Sequence, residues 1–167
     1  SLNLELEEKN RELLRTLSEK EEMKSYLQNI LESLTNGVIV TNPEDEIQVF
    51  NSASELFSGK PQDEAVGRHI RILFEDMPSN DWMDIFLNKN FRKGRVSRLI
   101  YKNRVLEITS SFISSGGKIL GTVFVLRDVT RIEKLESMAK RSEKFTALGE
   151  MAANIAHEIR NPLGSIE

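Results

Sequence analysis

The chain contains two histidines, His69 and His157, and no cysteine, so its reactive groups narrow to imidazole, carboxylate, hydroxyl and amide. An imidazole can ligate a metal, act as a nucleophile or carry a proton. Metal ligation is disfavoured, because the two histidines lie far apart in the sequence and neither has partner ligands at metal-binding spacing. His157 has different company. It opens the run His157-Glu158-Ile159-Arg160-Asn161-Pro162-Leu163, behind an Ala-, Leu- and Gly-rich stretch that starts at Phe145. On a helix turning about 100° per residue, His157 lies about 200° from both Ile155 and Ile159 and so faces away from their apolar side. Asn161, one turn later, stands about 40° from it, and Asn154 and Glu150 continue the same polar stripe. Such a stripe is an accessible docking face. Pro162 has no N–H to offer the carbonyl of Glu158, so the helix should bend or loosen one turn beyond the histidine. A histidine on a polar helix face is ordinarily a plain surface residue; the adjoining acid and the Asn-Pro pair at this spacing argue for more.

The elements that must carry these residues are legible as periodicity. From Arg131 onward, Leu135, Met138, Phe145, Leu148, Ala152, Ile155 and Ile159 recur at spacings of three, four and seven, which predicts an unbroken helix towards Asn161. Ser142 and Gly149 on that seam make it looser than a leucine zipper, which would suit a segment that changes register. A second seam lies at the other end of the chain. Leu6, Asn10, Leu13, Leu17, Lys20, Lys24, Leu27, Leu31 and Leu34 form a heptad with leucine at most core positions, the pattern of a coiled coil. A buried amide at Asn10 favours a two-stranded, in-register pair, whereas Lys20 and Lys24 weaken the middle. The alternative is a single amphipathic helix packed on the following domain, but a helix this charged needs a partner to persist. Asn36-Gly37 reads as its C-terminal stop.

Between the seams the period changes to two. Val38-Ile39-Val40 and Ile47-Gln48-Val49-Phe50 flank the turn-forming Asn42-Pro43-Glu44-Asp45, which predicts a hairpin. From Ser52 to about Asn90 short helical stretches follow, broken by Gly59-Lys60-Pro61, Gly67 and Pro78. Strands resume at Val96 to Tyr101, Val105 to Ile113 beyond a Lys102-Asn103 turn, and Lys118 to Val129 beyond Ser114-Ser115-Gly116-Gly117. Two strands, several helices and three strands predict an α+β fold. Its five-stranded antiparallel sheet should have short helices on one face, with the other face free for a partner or a flanking helix.

Composition closes off other classes. At 167 residues, 39% hydrophobic and 29% charged, the chain can build one modest core and has no disordered signature. A net charge of -3 gives no electrostatic footprint for nucleic acid. No apolar run is long enough to cross a membrane and no signal peptide opens the chain, so a cytoplasmic, reducing setting is expected. Because the chain starts in mid-helix and stops ten residues after His157, it is expected to be excised from a longer protein, with any membrane anchor outside this stretch.

The segment Phe145 to Ile166, FTALGEMAANIAHEIRNPLGSI, closely resembles the H-box of the dimerisation and phosphotransfer domain of sensor histidine kinases of two-component systems. Residues 36 to about 128 resemble a PAS domain. The supporting marks are the Asn36-Gly37-Val38-Ile39-Val40-Thr41-Asn42 opening, the Phe50-Asn51-Ser52-Ala53 step into the first helix, and Asp128-Val129-Thr130 closing the last strand. Together they imply a coiled-coil helix over 1–35, a PAS sensing domain over 36–130, a signalling helix over 131–144 and the start of the phosphoacceptor helix over 145–167. The resemblance implies a parent enzyme that moves the γ-phosphoryl of ATP to a ring nitrogen of His157 and then to an aspartate of a response regulator.

In that scheme Glu158 accepts the proton from the other ring nitrogen, Asn161 orients a water or the incoming carboxylate and serves phosphatase activity, and Pro162 kinks the helix. Asp128 and Thr130 couple the sheet to the output helix, with Arg127 as a candidate partner of Asp128. ATP and Mg2+ belong to the parent. No glycine-rich nucleotide signature occurs here, Ser115-Gly116-Gly117 reading as a hairpin turn, so this chain alone should not bind ATP. The implied partners are a second copy in a parallel homodimer, a receiver domain, and the parent's own ATP-binding domain; nucleic acid is not among them. PAS domains that hold haem or flavin use a histidine on the long helix or a cysteine. The stretch Trp82 to Asn88 has no histidine and the chain no cysteine, so neither cofactor is expected, and His69 at the Gly67-Arg68 turn reads as a surface residue. A small acid or apolar metabolite, or no ligand, stays open. The competing reading is a PAS dimerisation and ligand-binding module with no catalytic role, whose histidine is a passenger.

Overall fold

The computed structural model describes residues 2–77, 83, 85–87 and 96–163, the last three of these by backbone alone. Pro78, Trp82 and Asn88 lie outside the described residues. The elements in chain order are α1 (Leu2–Ser33), β1 (Gly37–Thr41), β2 (Ile47–Phe50), α2 (Ser52–Ser58), α3 (Gln62–Ala65), a 3-10 helix (Ile70–Phe74), β3 (Val96–Tyr101), β4 (Arg104–Ser115), β5 (Lys118–Asp128) and α4 (Thr130–Leu163). Two compact units are present, one of Ser1–Leu99 with Leu106–Arg127, the other of Ile100–Val105 with Asp128–Glu167.

The five strands form one antiparallel sheet in the order β2-β1-β5-β4-β3, so the first hairpin joins the last strand and both edges come from short strands. β1 pairs with β5 through Val38 opposite Val125 and Val40 opposite Val123, and with β2 through Ile39 opposite Phe50. Alternation sorts the two faces. Leu106, Ile108, Phe124 and Leu126 are buried on one, while Val123 and Val125 between them are half-buried on the other. The buried face packs on Phe57, Ile70, Leu73 and Phe74, and a run of rings fills its middle. Phe86 lies 4.5 Å from Phe74 and 5.0 Å from Phe124, centroid to centroid.

The turns follow local chemistry. Asn42 Oδ1 accepts from the N–H groups of Glu44 (3.1 Å) and Glu46 (2.8 Å), closing the β1–β2 turn and holding Asp45 at φ 63°. Lys102 (φ 46°) and Asn103 (φ 64°) are both left-handed, the geometry that lets a two-residue turn match strand twist.

One expectation is corrected. Asn36-Gly37 is not the stop of α1, which ends at Ser33, and Gly37 opens β1 without a left-handed φ. Its glycine answers a different need: a Cβ there would meet Ser54 Oγ at 3.0 Å, Phe57 Cδ2 at 3.1 Å and Leu126 Cβ at 3.3 Å. What ends α1 is Asn51. Its Nδ2 donates to the carbonyls of Leu31 (2.9 Å) and Asn36 (3.0 Å), while its Oδ1 accepts from the Val38 N–H (2.8 Å), the Ser54 N–H (3.1 Å) and the Ser54 hydroxyl (2.8 Å). Beside it, a Glu32 carboxylate oxygen accepts from both the N–H and the hydroxyl of Ser52. One buried amide thus satisfies an orphan carbonyl of α1, the first N–H groups of α2 and the start of β1.

Two outcomes follow. Asn51→Asp keeps the acceptor but removes both donors and buries a charge, and is expected to cost about 3 kcal/mol in urea unfolding. At Gly121 in β5 a Cβ would sit 2.0 Å from the carbonyl oxygen of Thr41, whereas at Gly117 nothing lies within 4 Å. Gly121→Ala should therefore lose about 3 kcal/mol or more by overpacking, and Gly117→Ala only about 1 kcal/mol of backbone strain, in the same unfolding measurement.

Candidate functional site

His157, Glu158 and the rest of their stripe belong to α4, a single helix of 34 residues. Continuity towards Asn161 holds as the sequence spacing predicts, and the helix runs on through Pro162 to Leu163. The side chains of Asn161 and Pro162 lie outside the described residues. His157 and Glu158 are exposed, but so are Leu135, Met138, Phe145, Leu148, Ile155 and Ile159 on the opposite side of the helix. Exposure in one copy therefore does not set the histidine apart; helical phase does. A helix with so long an apolar stripe in water needs a partner along it, and burying that stripe would leave His157, about 200° from its isoleucines, on the outside.

Where α4 leaves the sheet the geometry is closed and specific. The Arg104 guanidinium donates to Asp128 Oδ2 at 2.6 Å, and Asp128 Oδ1 accepts from the Thr130 N–H at 3.0 Å and from the Thr130 hydroxyl. The Thr130 hydroxyl oxygen in turn accepts from the Val105 N–H at 2.9 Å, and the Val129 N–H donates to the Val105 carbonyl at 2.9 Å. Val129, between the two polar residues, is buried. Burial pushes the Asp128 carboxyl up, but the hydrogen bonds from Thr130 and the Arg104 charge outweigh it and hold the group below the ordinary carboxylate range.

Asp128 and Thr130 are thus brought together as one clasp, and the cation is Arg104 rather than Arg127. Arg127 stands exposed on the strand, one residue from Asp128, and successive strand side chains point to opposite faces. The signal that would have found Arg104 was its place directly after the Lys102-Asn103 turn, at the start of the strand beside β5. His69, which sequence reasoning left on the surface, is half-buried and caps the 3-10 helix, its Nδ1 accepting from the Arg71 N–H at 3.2 Å. Among the described residues no group of three or more His, Asp or Glu side chains could hold a metal, and no helix is long and apolar enough to cross a membrane.

Comparison with known proteins gives the following. The family model for the PAS fold matches residues 25–129. The chain is 26% identical over 141 residues to the signal transduction histidine-protein kinase AtoS of Escherichia coli, covering 82% of this chain and 23% of that protein. It is 30% identical over 149 residues to the sensor protein kinase FleS of Pseudomonas aeruginosa, covering 89% and 33% respectively. Among solved structures, the histidine kinase ThkA, in complex with the response regulator protein TrrA, is 29% identical with a TM-score of 0.55, over 80% of this chain and 40% of that one. The chain spans about a quarter to a third of the length of the curated relatives it matches.

The clasp makes a pH-dependent outcome. Because the folded carboxyl is held below its unfolded value, Asp128 adds stability that is present above about pH 4 and is lost as pH falls through the depressed folded value. Asp128→Ala should cost about 1–3 kcal/mol at pH 7. Urea unfolding at pH 7 and pH 3 should show the gap between wild type and variant narrowing in acid; a gap of equal size at both would remove the carboxylate from the account.

Proposed function

The chain belongs to the PAS fold family, and from that premise we propose that it is the sensing and phosphoacceptor part of a two-component sensor histidine kinase. The observation that carries the reading is the His157-Glu158-Ile159-Arg160-Asn161-Pro162-Leu163 run on the helix that leaves the last strand of the sheet. The histidine-kinase relatives support it. In the parent dimer, a neutral ring nitrogen of His157 attacks the γ-phosphorus of ATP, a phosphorus–nitrogen bond forms as the bond to ADP breaks, and Glu158 takes the proton from the other ring nitrogen. Mg2+ enters with the nucleotide in the parent's ATP-binding domain. The phosphoryl group then passes to an aspartate of a receiver domain, for which Asn161 orients the carboxylate or the attacking water.

α4 supplies the route from sensing to chemistry. From Thr130 to His157 it is one helix, about 40 Å along its axis, so a shift at the clasp of Asp128, Thr130 and Arg104 reaches the phosphoacceptor as motion of one rod. No haem or flavin belongs to this reading; a small metabolite ligand is compatible with it.

The test is a paired assay on the reconstituted full-length dimer. His157→Gln should abolish labelling while sparing helix and dimer. Glu158→Ala should slow histidine labelling by about 10²–10⁴-fold, the range of a positioned acid–base group. Asn161→Ala should chiefly reduce dephosphorylation of the receiver. Equal loss of both activities in the two alanine variants would defeat this division of roles, and absence of any label on His157 would leave the chain as a binding and dimerisation module.

A further inference from the structure

A groove of about 560 Å3 runs between the second half of α1 and strand β2. On the helix side it is lined by Lys20, Lys24, Leu27 and Leu31, and on the sheet side by Gln48 and Val49. The four helix residues are consecutive core positions of the heptad that begins at Leu6. The seam that must meet another helix therefore opens onto a strand, and that strand is an edge of the sheet. We propose that α1 of a second copy occupies this groove, seam to seam with α1 and flank-on against β2, so that the sheet edge is part of the dimer interface. The inference rests on the dimeric reading and adds a named surface to it.

Charge argues for a second copy rather than an ordinary two-stranded coil alone. Lys20 and Lys24 at core positions would place four ammonium groups on one seam, a poor arrangement for a coil surrounded only by water. Carboxylates stand at the rim of the groove: Glu46 immediately precedes β2, and Asp63 and Glu64 immediately follow Gln62, which also lines it. All three are exposed. A helix seated there carries its own lysines towards opposite charge while its leucines meet Leu27 and Leu31. Its presence also covers an edge strand that would otherwise be open to pairing.

Because the chain has no cysteine, single introduced cysteines report cleanly. Tagged full-length chain with Val49→Cys would be mixed, after subunit exchange, with untagged chain carrying Met23→Cys or Gln28→Cys, the two groove residues that flank the seam, and treated with a short bifunctional thiol reagent. Leu27→Cys alone reports the parallel seam. The expected result is a tagged–untagged product at least about tenfold above that from Val49→Cys mixed with a Glu8→Cys chain, as held neighbours react at high effective concentration. Efficient Leu27→Cys self-coupling without any product from position 49 would overturn the groove assignment and leave the dimer standing. A monomer in sedimentation, with no coupling at position 27, would remove the dimeric reading and the groove with it. A monomer that releases a co-purified amphiphile in native mass spectrometry would give the groove to a small ligand and equally overturn the proposal.

Discussion

The structure turns on the satisfaction of one buried side chain. Asn51 is 1% exposed and uses both ends of its amide. It closes α1, starts β1 and begins α2, so the entry helix, the sheet and the helical layer cannot adjust independently of it. An amide suits this place because it offers donors and acceptors at once and carries no charge to desolvate. With Glu32 bound to Ser52, the last turn of α1 is fixed to the first turn of α2, and the fold gains a definite direction of chain entry.

A second polar knot, of Arg104, Asp128, Thr130 and Val105, marks the exit. The two differ in physics. The entry knot is neutral and buried, so its strength depends on geometry and hardly on salt or pH. The exit knot is ionic and a quarter exposed on the Asp128 side chain, where charge is partly screened and the bond can be exchanged at modest cost. A sensing domain whose fixed end is neutral and whose adjustable end is charged has its compliance where the output helix departs.

Much of this was legible in the residues. The period-two runs gave each strand to within a few residues, because one face of the sheet is buried and register is therefore strongly specified. The long helices were legible for the complementary reason, a seven-residue spacing sustained over several turns. Three features were not. Gly37 looked like a helix stop because Asn-Gly is a turn signal, yet its role is close approach by Ser54 and Phe57, a tertiary fact without local trace. Arg104 was hidden because its partner lies 24 residues away. Asn51 was noticed only as part of a family step, since no single sequence reveals how many partners an amide will find. At the phosphoacceptor stripe the sequence supplied nearly all there is: the phase of His157 follows from helix geometry, and the isolated chain adds only the continuity of α4.

That continuity has a consequence for how such proteins can be rebuilt by recombination. Ile100–Val105 belong to the same compact unit as α4, so the natural seam for exchanging one sensing module for another does not fall at a single point in the gene. A crossover just before Thr130 would separate the helix from the hairpin tip that holds its first turn, and the incoming sheet would have to bring its own equivalent of Arg104. Length is constrained as well. One residue gained or lost in α4 turns His157 by about 100°, whereas seven return it to nearly the same bearing. Viable chimeras of this architecture should therefore fall into length classes a heptad apart, with the hairpin and the helix inherited together.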